Sequence, residues 1–437
     1  MPTAILSPLD LMPAPGTHAL TGGFARPVAL SFSFASDGPA LDAAQQQAAR
    51  AAMQAWAEAA GLVFIETPWA DADLVFGFGA AGDTVALDPG GFGMGALLQG
   101  VGRVLGLNTA PEWAAPEATV MRPDPANTLG WADAEAAAAL FGPPLGGEVV
   151  RWGYDADLDA LRADVFGFDG QWLHAGSGPT ALFGGPGNDV LIGGPGNDWL
   201  NGGPGDNMLV GGAGRDTAEI GLLRGETQMD WQFQRVHAEW GTTGFDQIER
   251  LLFRDGHWAL TTDEPAALVD RLYHAVLERA ADPLGLTTWT AFLDAGHGGE
   301  ALVARLFASE EYRERFGAAD DAAWARAMEA LEPVPVEPLP EPLWVPDPVA
   351  ALAMRFHLLV LEEAPDRAGF ETWAARLEAA EDHALVAQDF LDAHGGAGFT
   401  NGGALLEAAW SREVALATGE WVDAGVRFAD SPSDWLW

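Results

Sequence analysis

The first third of the chain mixes two periodic patterns of apolar residues. The segment from Val28 to Phe34 (VALSFSF) alternates with the two-residue period of a β-strand, and Leu74 to Phe78 is a second strand candidate. Three further segments have helical spacing: Leu41 to Ala60, Gly95 to about Leu107, and Ala132 to Phe141. Together these patterns predict a mixed α/β domain over residues 18–150.

The residue pattern changes between Phe166 and Ile220, where glycine recurs with a nine-residue period. So many glycines make a helix implausible there. Four tandem copies read GGPGNDVLI, GGPGNDWLN, GGPGDNMLV and GGAGRDTAE, starting at Gly184, Gly193, Gly202 and Gly211. A strand-like segment from Phe245 to Leu260 follows and is expected to close the repeats. The predicted repeat domain therefore covers residues 166–260.

The rest of the chain is helical and internally duplicated. Six residues recur 84 positions later, namely Val276, Leu277, Glu278, Asp282, Gly285 and Trp289 against Val360, Leu361, Glu362, Asp366, Gly369 and Trp373. This predicts two all-α units, at residues 264–330 and 349–437. The segment between them, residues 331–348, is rich in proline, which favours an extended, semi-rigid linker.

Composition narrows the possible partners. The 22 basic residues are all arginine and face 63 acidic ones, a net charge of −41, so nucleic acid and anionic membranes would be repelled and divalent cations attracted. Cysteine is absent, which excludes disulfides and thiolate metal sites. The start of the chain lacks the basic and apolar regions of a Sec signal peptide, and no apolar stretch is long enough for a transmembrane helix.

The chemistry of the repeats points to calcium. Glycines permit left-handed turns that aim backbone carbonyls inward, and Asp supplies the hard anionic oxygen that Ca²⁺ prefers. The copies resemble the GGxGxDxUx repeats of the repeats-in-toxin (RTX, hemolysin-type) family, whose β-roll completes one turn every two repeats. The predicted calcium-site residues are Gly184, Gly185, Gly187, Asp189, Gly193, Gly194, Gly196, Asp198, Gly202, Gly203, Gly205, Asn207, Gly211, Gly212, Gly214 and Asp216.

The 18-residue turn ranks these sites. Asp198 and Asp216 belong to one pair of loops, which is the stronger candidate because it carries two carboxylates. Asp189 is paired with Asn207, so weaker binding is predicted there. Leu191, Leu200 and Leu209 are expected to form the narrow core of the roll, and the upstream segment 175–180 (AGSGPT) is a degenerate copy with Thr180 at the carboxylate position.

Residues 24–142 resemble, in the order of their elements, the zinc protease domain that serralysin-type metalloproteases carry ahead of calcium rolls. Against the HExxHxxGxxH motif of that family, the ligand positions hold Gln99, Arg103 and Thr109, the general-base position holds Gly100, and only Gly106 matches. Met121 stands where the family has its methionine turn. Two interpretations remain open: a decayed protease domain, or an unrelated α/β fold. Both predict no zinc proteolysis.

The duplicated helical units resemble a domain of unknown function that is common in secreted bacterial repeat proteins and similar to phycobilisome linker domains. The first copy matches through LYHAVLERAADPLGLTTW from Leu272 and ASEEY from Ala308. The ending SPSDWLW resembles the C-terminal signal of type I secretion substrates. These resemblances imply interaction modules and export through type I secretion machinery.

The predicted architecture is therefore multidomain α+β: a metzincin-like α/β domain, a short parallel β-roll, and duplicated all-α units. The predicted function is that of a non-catalytic calcium-binding protein, extracellular or at the cell surface. Its role would be adhesion or scaffolding toward a surface, glycan or protein partner. The alternative is a secreted hydrolase, either a divergent metalloprotease or a carbohydrate-active enzyme that uses Asp and Glu.

Overall fold

The structure is a computed structural model. It describes residues 28–34, 40–78, 84–87, 93–110, 114, 118–122, 125, 127–142, 150–362, 365, 367–380, 382–395, 398–410, 414–415 and 421–422. The chain start and the proposed secretion signal at residues 431–437 lie outside them. Two compact units are present: Met1–Ala218 with Trp231–Arg235 and Trp240–Ile248, and Glu219–Asp230 with Val236–Glu239 and Glu249–Trp437.

The first unit begins with an α/β layer. Its elements are β1 (Val28–Phe34), α1 (Ala43–Ala59), β2 (Leu62–Glu66), β3 (Leu74–Phe78), β4 (Thr84–Leu87), α2 (Met94–Val104) and α3 (Trp131–Phe141). The strands form one parallel sheet in the order β2-β1-β3-β4, and both predicted strands have the predicted bounds. Helix α1 starts at a capping box, in which Asp42 and Gln45 each satisfy the other's backbone N–H. Trp56 anchors the core and donates to the Leu98 carbonyl at 3.0 Å.

An antiparallel hairpin and the repeat strands follow, and the repeat strands alternate between two sheets in which they pair in parallel. The bounds of all these strands are β5 (Val150–Asp155), β6 (Ala160–Val165), β7 (Trp172–His174), β8 (Thr180–Phe183), β9 (Val190–Pro195), β10 (Trp199–Asn201), β11 (Asn207–Ala213) and β12 (Thr217–Glu219). Strands β13 (Gln228–Asp230), β14 (Arg235–Ala238) and β15 (Gly241–Asp246) follow. Strands β6, β8, β10 and β12 lie side by side in one sheet, and β7, β9, β11 and β15 in the other.

The register of these sheets sets the repeat geometry. Trp199 pairs with Ala181 and Thr217, and Met208 pairs with Val190, so neighbouring strands are offset by 18 residues. Leu191, Leu200 and Leu209 are completely buried, as the pattern predicted. One turn of chain therefore consumes two repeats and adds one strand to each sheet.

The α/β layer and the repeats pack as one unit because the degenerate copy docks on β1. The carboxylate of Asp73 accepts the N–H and hydroxyl of Ser31 at 2.7 and 2.8 Å with one oxygen, and the N–H and hydroxyl of Ser177 with the other. The Gly176 N–H donates to the Ala29 carbonyl at 2.7 Å. The segment 175–180 is thus hydrogen-bonded to Asp73 and to β1.

The second unit is mostly helical. Its strands are β16 (Arg250–Phe253), β17 (Gly256–Thr261) and β18 (Pro338–Pro346), with two-residue strands β19 (Val414–Ala415) and β20 (Trp421–Val422). Its helices are α4 (Pro265–Leu272), α5 (Pro283–Asp294), α6 (Gly299–Phe307), α7 (Glu310–Phe316), α8 (Asp321–Ala330), α9 (Pro348–Leu361), α10 (Arg367–Glu378), α11 (His383–His394) and α12 (Gly402–Trp410). Two separate apolar clusters lie in this unit, one mainly from α4 to α8 and the other mainly from α9 to α12.

The proline-rich segment differs from the predicted linker. Residues Pro338–Pro346 are extended but form strand β18, which pairs antiparallel with β17. Helix α9 already begins at Pro348, where a proline at the first helical position lacks only an N–H that would have no helical partner. Trp344 packs on Trp258 with ring centroids 5.2 Å apart. Proline is tolerated here because β18 has only one partner strand in the described sheet.

Candidate calcium site

The repeat loops turn in a conformation that only glycine adopts readily. Gly205 and Gly214 have φ values of +138° and +140°. A Cβ atom at either position would overlap the carbonyl oxygen of the glycine 18 residues earlier, Gly187 or Gly196. Glycine is therefore required here for two reasons, the backbone conformation and the close approach of the preceding turn.

The sixth residue of each repeat links its loop to the turn before it. Asp198 accepts the N–H of Thr180 at 2.8 Å, and Asp216 accepts the N–H of Asp198 at 2.8 Å. In the other row, Asp189 accepts the N–H of Gln171 at 2.6 Å and Asn207 accepts that of Asp189 at 2.9 Å. The structure thus brings together the two pairs that the 18-residue spacing predicted.

The fifth residue of each of the first two repeats makes the reverse connection, which the sequence reasoning missed. The side-chain oxygens of Asn188 and Asn197 accept the N–H groups 18 residues later, at Asp206 and Arg215, both at 2.9 Å. The recurring Asn-Asp pair in the first two copies was the available signal. Positions five and six therefore connect adjacent turns by hydrogen bonds: the side chain at position five accepts from the following turn, and the side chain at position six accepts from the preceding turn.

The row of Asp198 and Asp216 concentrates charge in a buried place. Burial, followed by the nearby charge of Asp216, raises the pKa of Asp198 to about 8. Burial also raises the pKa of Asp216 to about 6, against the lowering effect of the Asp198 N–H. At neutral pH Asp198 therefore holds a proton unless a cation neutralises the pair, whereas Asp216 is mostly deprotonated.

The row of Asp189 and Asn207 is chemically different. The N–H of Asp189 orients the Asn207 amide, whose Nδ2 then donates to the carbonyl oxygens of Gly203 at 2.8 Å and Gly205 at 3.4 Å. Those carbonyls belong to the glycine loop whose oxygens the calcium hypothesis assigns to the ion. The amide thus satisfies part of this loop without a metal. Burial still raises the pKa of Asp189.

The row of Asp198 and Asp216 fits a hard cation best, because both of its side chains are carboxylates. The Oδ2 atoms of Asp189 and Asp198 are buried without a hydrogen-bond partner, which leaves one carboxyl oxygen in each row available to a cation. Among the described residues, no group of three or more His, Asp or Glu side chains fits a metal ion. A cation here would therefore need backbone carbonyls from the glycine loops, which Ca²⁺ accepts readily.

The predicted glycines all lie in these loops or at their edges. Most have positive φ, namely Gly185, Gly187, Gly194, Gly196, Gly203, Gly205, Gly212 and Gly214. The first glycine of each repeat, at positions 184, 193, 202 and 211, leaves room for the side chain of that repeat's sixth residue. The glycine loops and the acidic side chains thus belong to the same four repeats.

Comparison with known proteins agrees with this geometry. Residues 183–218 match the family model for the RTX calcium-binding nonapeptide repeat, in four copies. No curated protein matches the chain. RTX nonapeptide repeats bind Ca²⁺, so calcium is the cofactor of this segment. Proteins with such repeats are typically secreted, usually as type I secretion substrates.

The zinc-like positions hold hydrogen-bonded side chains. Gln99 donates through Nε2 to the carbonyl oxygens of Val120, at 3.1 Å, and Arg122, while its Oε1 accepts from Arg103 at 3.0 Å. Met121 is buried beside these residues in the same apolar core. These two positions thus hold an amide and a guanidinium that are hydrogen-bonded to each other.

In the part of the chain that the structure describes, no helix combines the length and apolar character that crossing a bilayer requires.

Proposed function

We propose that this protein is a non-catalytic, secreted calcium-binding scaffold for surface adhesion or assembly, exported by a type I system and folded by calcium outside the cell. The observation that carries the proposal is the buried pair Asp198 and Asp216, in register within the RTX repeats and with raised pKa values. Calcium supplies the positive charge that this pair lacks. The chain's own residues supply the turns, the carboxylates and the apolar core.

The non-catalytic part of the proposal rests on the Gln99 region. Gln99 donates hydrogen bonds to two backbone carbonyls and accepts one from Arg103. Hydrogen-bonded side chains thus fill the place that corresponds to the zinc site of the protease family that these residues resemble. We interpret residues 24–142 as a decayed protease domain retained for architecture. A second candidate, a secreted hydrolase, draws support from the order of elements alone.

Metal analysis separates the two candidates. The purified full-length protein, refolded in calcium and dialysed, is expected to contain calcium without stoichiometric zinc and to leave casein uncleaved. Elemental analysis and a casein assay in added zinc measure both properties. Stoichiometric zinc or cleavage would overturn the non-catalytic proposal. A glycan array tests the adhesion role, and light scattering with and without calcium tests assembly.

A substitution at Asn207 tests whether its amide replaces part of the ion's role. Asn207→Asp removes the Nδ2 donors to Gly203 and Gly205 and adds a charge beside Asp189. We expect the calcium-free protein to lose about 1–3 kcal/mol of stability and the calcium affinity of this row to rise about tenfold. Thermal unfolding by circular dichroism, in chelator and in calcium, measures the two effects.

Asn188→Asp is the matched control, because it adds the same charge to a neighbouring loop while keeping the oxygen that accepts the Asp206 N–H. If both variants lost the same stability in chelator, the amide contacts of Asn207 would contribute nothing specific.

A further inference from the structure

An open groove lies on the first helical unit, far in sequence from the calcium repeats. Its volume is about 850 Å³. The apolar lining comes from α4, α8 and the segment after α8, with three carboxylates beside it. The lining residues are Leu268, Gly299, Ala325, Met328, Leu331 and Pro333, with Glu300, Glu329 and Glu332. None of these described residues is basic.

The groove exposes apolar side chains that a folded core would normally cover. Met328 is 40% exposed, and Trp324, one turn earlier on the same face of α8, is 39% exposed. Val336, shortly after the groove, is 61% exposed. Exposed apolar side chains in and near a groove that charged residues border are typical of an interaction site.

The duplication within the chain provides an internal comparison. Leu352 stands 84 residues after Leu268 and is 1% exposed, in a cluster that includes Leu405 and Ala409 of α12. Leu268 is only partly buried and lines the groove. The same position is thus covered by the chain itself in the second copy and left open in the first.

The charge around the groove decides which occupant fits. Glu300, Glu329 and Glu332 are exposed carboxylates, so a partner with positive charge gains Coulomb energy and an acidic one is repelled. A second copy of this chain is a poor occupant, because the chain carries a net charge of −41 and no lysine. An apolar floor beside acidic residues matches an amphipathic helix with apolar anchors on one face and basic residues on the other.

We propose that this groove binds a basic amphipathic helix of another protein. The apolar anchors lie against Met328 and Leu331, and the basic side chains pair with Glu329 and Glu332. This site goes beyond calcium-dependent folding, since its residues are in the second compact unit and outside the repeats.

The test uses the full-length protein in millimolar calcium and a fluorescein-labelled synthetic peptide of about 16 residues, with leucine at helical i, i+4 and i+7 positions and arginine elsewhere. A peptide with glutamate in place of each arginine is the control. Fluorescence anisotropy is expected to show 1:1 binding of the basic peptide alone. The double variant Glu329→Arg/Glu332→Arg and the single variant Met328→Asp should each raise Kd by at least about tenfold.

Two variants control for charge and apolar loss elsewhere. Glu310→Arg/Glu314→Arg changes exposed carboxylates of α7, and Leu385→Asp removes a leucine of α11 that is 66% exposed. Both should bind the basic peptide like the parent protein. Because Met328 is exposed, its variant is expected to keep the parent's circular dichroism spectrum.

Three results would overturn the proposal: no binding of the basic peptide, equal binding by the groove and control variants, or equal binding of the acidic peptide. A further contrary result is self-association of the parent protein that Met328→Asp abolishes, since the occupant would then be a second copy. Sedimentation velocity measures that association.

Discussion

Replacing Asp198 by alanine is expected to remove most of the structure that calcium induces in the repeats, whereas Asp189→Ala has a smaller effect. Asp198 is paired through its N–H with a second carboxylate, Asp216, but Asp189 is paired with the amide of Asn207. Loss of one anionic oxygen from the two-carboxylate row should weaken calcium binding by at least about tenfold, or about 1.4 kcal/mol.

Calcium titration followed by circular dichroism measures this effect. At a calcium concentration about 100 times Kd, the ion adds about 2.7 kcal/mol to the stability of the parent protein, so a tenfold change is resolved readily. Glu314→Ala, on an exposed helix of the other compact unit, is the control for loss of one negative charge. Equal effects at Asp198 and Asp189 would show that the 18-residue pairing does not rank the sites.

The second large effect is that calcium removes a pH dependence of stability. Without the ion, burial and the nearby charge of Asp216 raise the pKa of Asp198 in the folded protein to about 8, far above its ordinary value, so between about pH 5 and 8 the folded state binds more protons than the unfolded state. Stability in chelator is therefore present at low pH and lost as the pH rises toward 8. Between pH 5 and 8 the loss is on the order of 3 kcal/mol.

Saturating calcium removes this slope between about pH 5 and 8, because the bound ion keeps both carboxylates deprotonated, as they are in the unfolded state. Lowering the pH from 8 to 6 protonates Asp198, with its pKa of about 8, and begins to protonate Asp216, with its pKa of about 6. Calcium affinity should fall about 100-fold over this range, about 50-fold from Asp198 and about twofold from Asp216. Calcium titrations at several pH values, with matched unfolding in chelator, measure both slopes.

Asp198→Asn should flatten both pH dependences, because it removes the group that titrates while keeping an oxygen that accepts the Thr180 N–H. A calcium affinity that does not change between pH 6 and 8 in the parent protein would contradict the assignment of this pair to the ion.

Much of the fold was predictable because local patterns carry it. The alternation from Val28 to Phe34 and the apolar run from Leu74 to Phe78 give strands with the predicted bounds. The nine-residue period predicted the buried leucines, and its doubling predicted the 18-residue register. Each of these features repeats along the chain, so neighbouring residues are enough to indicate it.

Local patterns did not predict the pairing of the Pro-rich segment. Its composition predicted extension, and Pro338–Pro346 is extended, but nothing local indicates that β17 is its partner. Likewise, Asp73 is one of many acidic residues in the sequence, and its contacts lie 42 residues earlier, at Ser31, and 104 residues later, at Ser177. Contacts at such separations depend on how elements pack, which composition does not encode.

The sequence by itself determined that this protein carries calcium repeats, because glycine and aspartate at fixed spacing are required residue by residue. Only the tertiary structure decided how the two rows differ. It turns the Asn207 amide onto the Gly203 carbonyl and buries Asp198 beside Asp216. The physical reason is that a motif specifies which groups are present, whereas burial and the distance between turns set their charge and hydrogen bonding.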